Sequence, residues 1–521
     1  MIIRFFYAYI LLFSFLFSHV PEKRVVAEWE PAIGTIIRWP LGIPSDLVVE
    51  LASDDVLYVL VENNNQQIQA RNNFNDWGID LDNVVFIFTS TYSHWTRDHG
   101  PQFIIGENFW NVVNQQFNGY PVESGCESFA SSESSIDGRL LNSYYRGWEE
   151  DDDTNLDFAN QLNWDVLDLP IYLTGGNFMT DGYGMGFSTE LMINENNFNE
   201  NQFKDIVEEY LYMSDYHIFD NPNQESIQHI DCMAKLVDSE TVIIKQVSES
   251  SPEYDCMEDF ANYFYQLNTF YGRPFEVHRI YCPEIDAPWW EVNSVAAYTN
   301  SLILNDKVLV PQYGIFEDMQ ALQIYQDAMP GYQVIGFVEA PDNPWYGEDA
   351  LHCRTMGIFD PDMIHISHKS IRYEDIDSNG SISIEAEVVA YGEYELESVT
   401  LFWKYSAEDG PFSSIELDLI SNNNYSTMFP VLNSNSLIEY YIVALDEGQA
   451  SVSHPIAGWH FFDTLNFDLG DINQDLLINI QDLVLVVNLV LDNDYSHLGD
   501  INFDETIDIL DIVQIVNIIL N

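Results

Sequence analysis

Three folded units of different class are expected in this chain: a mixed α/β unit over residues 25–366, an all-β sandwich over 367–463 and a small all-α module over 466–521. Three observations predict them. At 521 residues the chain exceeds one ordinary domain and leaves room for about three. Beyond His365 the mixture of strand-like and helical patterns gives way to short alternating runs between Asn, Ser, Asp and Gly clusters. The last stretch then repeats an acidic loop followed by an apolar helix.

In chain order, Arg4 precedes an apolar run from Phe5 to Phe17, which reads as the h-region of a secretory signal over residues 1–20 with cleavage near Ser18. Because Leu16 is not small, an uncleaved anchor is the other outcome. No later segment is long and apolar enough to span a membrane. Val84 to Phe88 reads as a strand, and Gly100-Pro101 is a turn signal that places Asp98 on a strand-to-loop edge. Gln228 to Cys232 reads as extended, a spacing of two that points His229 and Asp231 to one face. Val242 to Gln246 and Val334 to Val338 read as strands, Asp318 to Met329 as a helix, and Leu302 to Pro311 as a hairpin turning at Asn305-Asp306. The sandwich runs are Ile382 to Val389, Val399 to Lys404, Ile415 to Leu419 and Ile438 to Leu445.

Five residues scattered over the α/β unit carry the chemistry: Asp98, His229, Asp231, Asn300 and Cys353. A guanidinium is a planar fork of five donors, so two carboxylates can hold it by paired charge-assisted hydrogen bonds and present its carbon to a nucleophile. Asp98 and Asp231 suit that task. A bound cation also favours the thiolate of Cys353, whereas burial alone raises a thiol pKa. His229 can protonate leaving ammonia and then activate water. Taken singly, a cysteine is most often a small buried apolar residue and an Asp before Gly-Pro a turn residue. Their joint occurrence inside longer motifs is what points to function.

Those motifs are Ala27-Glu28-Trp29-Glu30-Pro31, Trp95-Thr96-Arg97-Asp98-His99-Gly100-Pro101, Thr174-Gly175-Gly176-Asn177-Phe178-Met179-Thr180-Asp181-Gly182, His229-Ile230-Asp231-Cys232 and His352-Cys353-Arg354-Thr355. Through them, about Val25 to Ile366 resembles the bacterial, Porphyromonas-type peptidylarginine deiminases and their relatives, the agmatine deiminases. The resemblance implies a five-bladed, pseudo-symmetric α/β propeller with a central active site and no cofactor for catalysis. It makes Cys353 the nucleophile, His229 the general acid/base, Asp98 and Asp231 the guanidinium-binding carboxylates, Asn300 a polar residue completing the site and Trp95 a wall against the substrate's aliphatic part. It implies a deiminase that hydrolyses arginine, foremost peptidyl or protein arginine, to a ureido group and ammonia through a Cys-thiouronium intermediate. Deimination of agmatine, free arginine or another small guanidino compound is the alternative. A non-catalytic surface-assembly protein is a third reading, against which the intact Asp98, His229, Asp231 and Cys353 argue.

Two departures bear on specificity. The peptidyl enzymes carry an arginine pair about twenty residues after the first catalytic Asp to clamp a C-terminal carboxylate, and Asn118-Gly119-Tyr120-Pro121-Val122 has none. Arg139 and Arg146 follow within a stretch, Glu123 to Asp153, whose Ser, Gly and acidic composition reads as a surface loop. The agmatine enzymes tend to carry a Gly-Gly-Gly run before the nucleophile, where this chain has Tyr346-Gly347-Glu348-Asp349-Ala350, a departure that favours the peptidyl branch.

Lys+Arg 18 against Asp+Glu 84, a formal net charge of −66, excludes nucleic-acid and anionic-membrane binding, which need basic surface. Cationic substrates would be attracted, and a secreted or cell-surface protein in saline surroundings would also be kept soluble. Five cysteines, Cys126, Cys232, Cys256, Cys282 and Cys353, allow a free Cys353 and up to two disulfides among the rest, in three connectivities.

In the tail, Asp471, Asn473, Asp475, Asn479 and Asp482, and again Asp500, Asn502, Asp504, Asp508 and Asp511, place oxygen ligands at loop positions 1, 3, 5, 9 and 12 of two calcium loops 29 residues apart. Helices Leu483 to Leu491 and Ile512 to Leu520 follow. Position 6, usually glycine, is Leu476 or Glu505, which weakens binding without abolishing it. The tail resembles a type I dockerin, which implies structural calcium and a cohesin-like partner for residues 466–521, and the sandwich resembles the Ig-like or fibronectin-like modules that trail secreted enzymes.

Overall fold

The computed structural model describes residues 19–119, 148–221, 227–285, 294–347, 349–372, 375–376, 382–408, 410–430 and 436–463, and in the tail 470, 472, 478–492, 495–496, 498–501 and 506–520. The signal-like segment up to Ser18, Arg139, Arg146 and five of the ten expected calcium ligands (Asp471, Asn473, Asp475, Asn502, Asp504) lie outside these residues.

Five small sheets repeat one plan: an antiparallel hairpin, then a helix returning the chain to a strand parallel to the hairpin's second strand. Gln102–Gly106 and Phe109–Gln116 are followed by helix Thr154–Leu162 and strand Val166–Tyr172. Met179–Thr180 and Met185–Thr189 lead through helix Glu200–Leu211 to Asp215–Phe219. Ala234–Leu236 and Thr241–Gln246 lead through Tyr254–Gln266 to Glu276–Tyr281. Leu302–Leu304 and Lys307–Gln312, turning at Asn305 (φ 52°), lead through Glu317–Ala328 to Gln333–Val338. The fifth sheet joins distant parts of the chain: Met356–Phe359 pairs with Ala32–Arg38, which continues through Ser45–Asp54 to the parallel strand Val56–Val61.

The buried side chains close these sheets into a ring. One core holds Ile36 and Leu60 with Phe103 and Val112, the next Ile104 and Val113 with Val207 and Tyr216, the third Phe187 with Ile243 and Val308, and the last Leu302 and Leu309 with Leu57 and Val59. Each helix buries one stripe against its sheet. In Glu200–Leu211 the stripe is Phe203, Val207 and Leu211, and the helix opens on a capping box between Asn199 and Gln202.

Within the ring, burial pushes the Asp181 carboxyl up to about 7, although the Tyr183 and Met185 N–H groups donate to it. A folded pKa above the unfolded value contributes stability present below about pH 4 and lost as pH rises towards 7. Asp181→Asn keeps an acceptor and removes that loss. The variant should gain on the wild type between pH 4 and 7, by up to about 4 kcal/mol at about 1.4 kcal/mol per unit. Urea midpoints at pH 4.5 and 8 measure this, and parallel pH dependences would contradict it.

Two antiparallel sheets follow, Ile364–Ser367, Ser383–Ala390, Asn424–Met428 and Asp418–Ser421 facing Ser413–Glu416, Leu396–Tyr405, Leu437–Asp446, Ser451–His454 and His460–Asp463 across one shared core. Ile364–Ser367 already pairs in this sandwich, so its first strand straddles the expected boundary at 366. The single run expected at Ile415 to Leu419 is two strands, interrupted at the inward-facing Leu417. Arg273 fixes the sandwich to the ring, pairing with Glu240 at 2.5 Å, Asp375 at 3.1 Å and the Ser370 carbonyl at 2.7 Å. The tail helices are Ile480–Asp492 and Ile509–Leu520, each starting three residues earlier than expected, so Asp482 and Asp511 stand in their first turns. No helix among the described residues is long and apolar enough to cross a membrane.

Candidate active site

Four of the five expected residues occupy one repeated position in the ring, and His229 stands two residues before one of them. Asp98, Asp231, Asn300 and Cys353 each lie two to four residues before the first strand of a hairpin or closing strand, those beginning at Gln102, Ala234, Leu302 and Met356. Gly176 takes the same place before Met179. Two local expectations are corrected. Asp98 sits within a helical turn, Thr96–His99, instead of on a strand edge. His229 and Asp231 are not alternate residues of a strand: Ile230–Cys232 is a single 3-10 turn entered from an extended His229. Tight turns leave no room for strand alternation, yet they aim both side chains inward.

The convergence is short-range. Asp98 Oδ1 lies 3.6 Å from His229 Nδ1 and accepts the Gly176 N–H at 3.2 Å. Cys353 Sγ is 3.9 Å from Asp231 Oδ2, and the Asn300 side-chain amide donates to the sulfur at 3.2 Å. The same Asn300 uses its Oδ1 to accept the backbone N–H groups of His352 and Cys353, at 3.0 and 3.3 Å. All five residues are at most 5 % exposed, so charge placed among them is poorly screened.

Burial moves the titrations in a consistent direction. The Cys353 thiol is pushed well above its usual range by burial, and then by repulsion from Asp231, Asp98 and Asp349. Burial pulls His229 down to about 4 against the opposing pull of Asp231. Burial would raise Asp231, but the hydrogen bond and charge of His352, with His229 and Lys235, hold it below the usual carboxylate value. At neutral pH the site therefore holds a thiol and a neutral imidazole, with the Asp231 carboxylate 3.9 Å from the sulfur.

Gly176 keeps the face between these groups clear of side chain. A Cβ there would stand 2.7 Å from Asp98 Oδ1, 2.8 Å from His229 Nδ1 and 3.0 Å from Asp231 Oδ2. Gly176→Ala should therefore lower turnover by about 100-fold or more, since misplacement by an ångström carries that cost, and near-normal steady-state rates would contradict this placement. Trp95 is half-buried against Phe117 and Ile227, a small apolar cluster within three residues of both Asp98 and His229.

Residues 24–358 match the model of the Porphyromonas-type peptidyl-arginine deiminases, which is well over half of the chain. The chain belongs to that family. The deiminase ring is 27% identical over 297 residues to a protein of Lactococcus lactis assigned as an agmatine deiminase, spanning 51% of this chain and 74% of that protein. It is 23% identical over 349 residues to a similarly assigned protein of Selenomonas ruminantium, at 59% and 89%. Among solved structures, the agmatine deiminase of Enterococcus faecalis has a TM-score of 0.53 at 23% identity, covering 65% of this chain and 96% of that one. A protein of Porphyromonas gingivalis assigned as an arginine deiminase has 0.52 at 19%, covering 64% and 98%. At such identities the structural likeness concerns the fold, that of the guanidino-modifying α/β propellers. The deiminase is a hydrolase of guanidino carbon–nitrogen bonds, and its family needs no cofactor for catalysis.

Sequence reasoning passed over Gly176 and the surroundings of Asp231. His352 and Glu28 stood inside the quoted motifs, which was the available signal. Arg97 also stood inside a quoted motif, Lys235 lay outside all of them, and the two are 5 % and 4 % exposed. Of the up to two disulfides that the cysteines allow, Cys256 takes part in one, while Cys232, Cys282 and Cys353 stand outside any disulfide.

Proposed function

We propose that the ring deiminates a small primary guanidine of the agmatine type, with Asp98 and Asp231 gripping the guanidinium and Cys353 attacking its carbon. The carrying observation is the meeting of Asp98, His229 and Asp231 at the open face of Gly176 with Cys353 Sγ beside them. The bound cation lowers the thiol pKa, and the Cys353 proton passes to the neutral His229. Sulfur bonds to the guanidino carbon, and the imidazolium returns the proton to the departing nitrogen, which leaves as ammonia. His229 then takes a proton from water, the hydroxide adds to the thiouronium carbon, and the carbon–sulfur bond breaks as the imidazolium returns that proton to sulfur. The adduct's hydroxyl proton is lost to the released ammonia, leaving the ureido product, the thiol and a neutral His229.

The relatives named as agmatine deiminases support a small substrate. Peptidyl arginine is the second reading, supported by the family's description and the missing Gly-Gly-Gly run before Cys353. Ureido-product formation from agmatine, free arginine, blocked arginine amide and a C-terminal arginyl peptide, side by side, separates them. Preference for the blocked amide over agmatine would overturn the first reading. Export through the N-terminal apolar segment fits a protein with so acidic a surface.

The tail, on this reading, is a dockerin-like calcium module whose helices can dock a cohesin-like partner. Asp482, Asp500 and Asp511 are at most 2 % exposed, and residues 466–521 contain no Lys or Arg. Buried carboxylates need a compensating cation, and calcium suits all-oxygen loops. Asp511 accepts the N–H groups of Ile501 and Asp508 at 2.9 Å, as a residue folding a loop onto its helix would. Among the described residues no group of three His, Cys, Asp or Glu is set to hold a metal, so the proposal rests on the sequence spacing and these buried carboxylates. A chelator should open the tail of the whole protein to protease, calcium should protect it again, and turnover should be unchanged. Loss of turnover on chelation would place the metal in the ring.

A further inference from the structure

One carboxylate outside the reacting set reaches the chain close to each of Asp98, Asp231, Asn300 and Cys353. Glu28 Oε2 lies 2.5 Å from His352 Nε2 and 3.0 Å from Arg97 Nη2, while Glu28 Oε1 lies 2.9 Å from Lys235 Nζ and accepts the Ile303 N–H at 3.1 Å. These partners sit one residue from Cys353, one from Asp98, four from Asp231 and three from Asn300. His352 carries the contact on, since its Nδ1 lies 2.7 Å from Asp231 Oδ2. Arg97 also binds the backbone beside the nucleophile, through its N–H to the Cys353 carbonyl at 3.1 Å and its Nε to the Thr355 carbonyl at 3.2 Å.

The electrostatics agree with a fixed tie. Burial would raise the Glu28 carboxyl, but His352, Lys235 and Arg97 together hold it well below the usual range. Charge-assisted bonds from three cationic or donor side chains to one carboxylate, away from bulk water, restrict all three at once. The turns lead into different sheets. Asn300 bonds to the His352 and Cys353 N–H groups, Thr299 Oγ1 to the Asp231 carbonyl and the Arg97 N–H to the Cys353 carbonyl. To these neutral bonds Glu28 adds one charged tie that reaches all of them, towards the few tenths of an ångström that attack on carbon requires.

We infer that Glu28 is a positioning residue for deimination: through His352, Arg97 and Lys235 it holds the Asp231 clamp and the Cys353 thiol in mutual register, without touching substrate. The inference rests on the guanidinium reading of the site. Glu28→Gln keeps the shape and removes the charge, and places an NH2 against donors. Glu28→Asp keeps the charge and withdraws it by one methylene, and serves if the first variant does not fold.

The test combines three readouts on the full chain. In Glu28→Gln, kcat for the best guanidine substrate should fall about 100-fold or more. The affinity for agmatine, measured by calorimetry in a Cys353→Ser background, should change less than about fivefold, because both clamping carboxylates survive. Alkylation of Cys353 by neutral iodoacetamide should stay within about twofold, because the thiol itself is untouched. Glu28→Asp should fall between the wild type and Glu28→Gln in kcat, with an unchanged melting temperature. A kcat within threefold of wild type in either folded variant overturns the inference. So does a loss of kcat matched by an equal loss of agmatine affinity and a lower melting temperature, since that is plain destabilisation. If Cys353→Ser with Glu28 intact binds no agmatine, arginine or arginine amide, the guanidinium reading fails instead.

Discussion

Cys353→Ala abolishes turnover, by about 10⁴-fold or more, while the protein melts close to the wild type. The size follows from removing the atom that forms the covalent bond: loss of a nucleophile typically leaves only the rate that binding and polarisation supply. The intact fold follows from what the side chain does structurally. Cys353 is 1 % exposed and small, and the contacts that hold its turn are made by its backbone N–H to Asn300 Oδ1 and by the Arg97 N–H to its carbonyl, neither of which alanine removes. Steady-state ureido formation with a thermal melt of the same sample checks this, and a folded variant that retains turnover contradicts it.

Asp98→Asn and Asp231→Asn are the next largest effects. Each replaces one charged arm of the grip on a desolvated cation, a loss of about 2–5 kcal/mol, or tens- to thousands-fold in rate. The two are not equivalent. Asp98 receives the Gly176 N–H, which an amide oxygen still accepts, whereas Asp231 also meets His352 Nδ1 and stands beside Cys353. An amide at position 231 disturbs the His352 contact as well as the substrate grip, so Asp231→Asn should be the more severe. The ratio of kcat/KM for the two variants checks the order. Near-normal rates in both would remove guanidinium binding from the account.

The motifs made the site legible because each reacting group stands in a short, conspicuous context. Asp98, His229, Asp231, Asn300 and Cys353 could be named from the chain, and the structure draws them into one cluster. The strands at Val84–Phe88, Thr241–Gln246 and Gln333–Val338 and the hairpin at Asn305 were legible through apolar runs and turn chemistry. The fivefold repeat was not. Its modules share a plan but not a length, and the inner hairpin strands are as short as Met179–Thr180, too brief for any alternating pattern to register. The conformation at Asp98 and His229 was misread for the same reason. Asp98 lies in a single helical turn and His229 at the extended entry to another, and the direction of such turns depends on neighbouring sheets and not on local periodicity. Glu28 was hidden by distance: it meets His352 across 324 residues of chain, a pairing that no local pattern encodes.

The account stands on a bond between Cys353 and the guanidino carbon, and acid quenching during steady-state turnover followed by peptide mass mapping observes that bond directly. With the best-used guanidine, the peptide containing Cys353 should gain the mass of the substrate less ammonia, and the gain should disappear once substrate is exhausted. An adduct on Cys232 or Cys282, or undiminished turnover by a folded Cys353→Ala protein with no adduct anywhere, would contradict it.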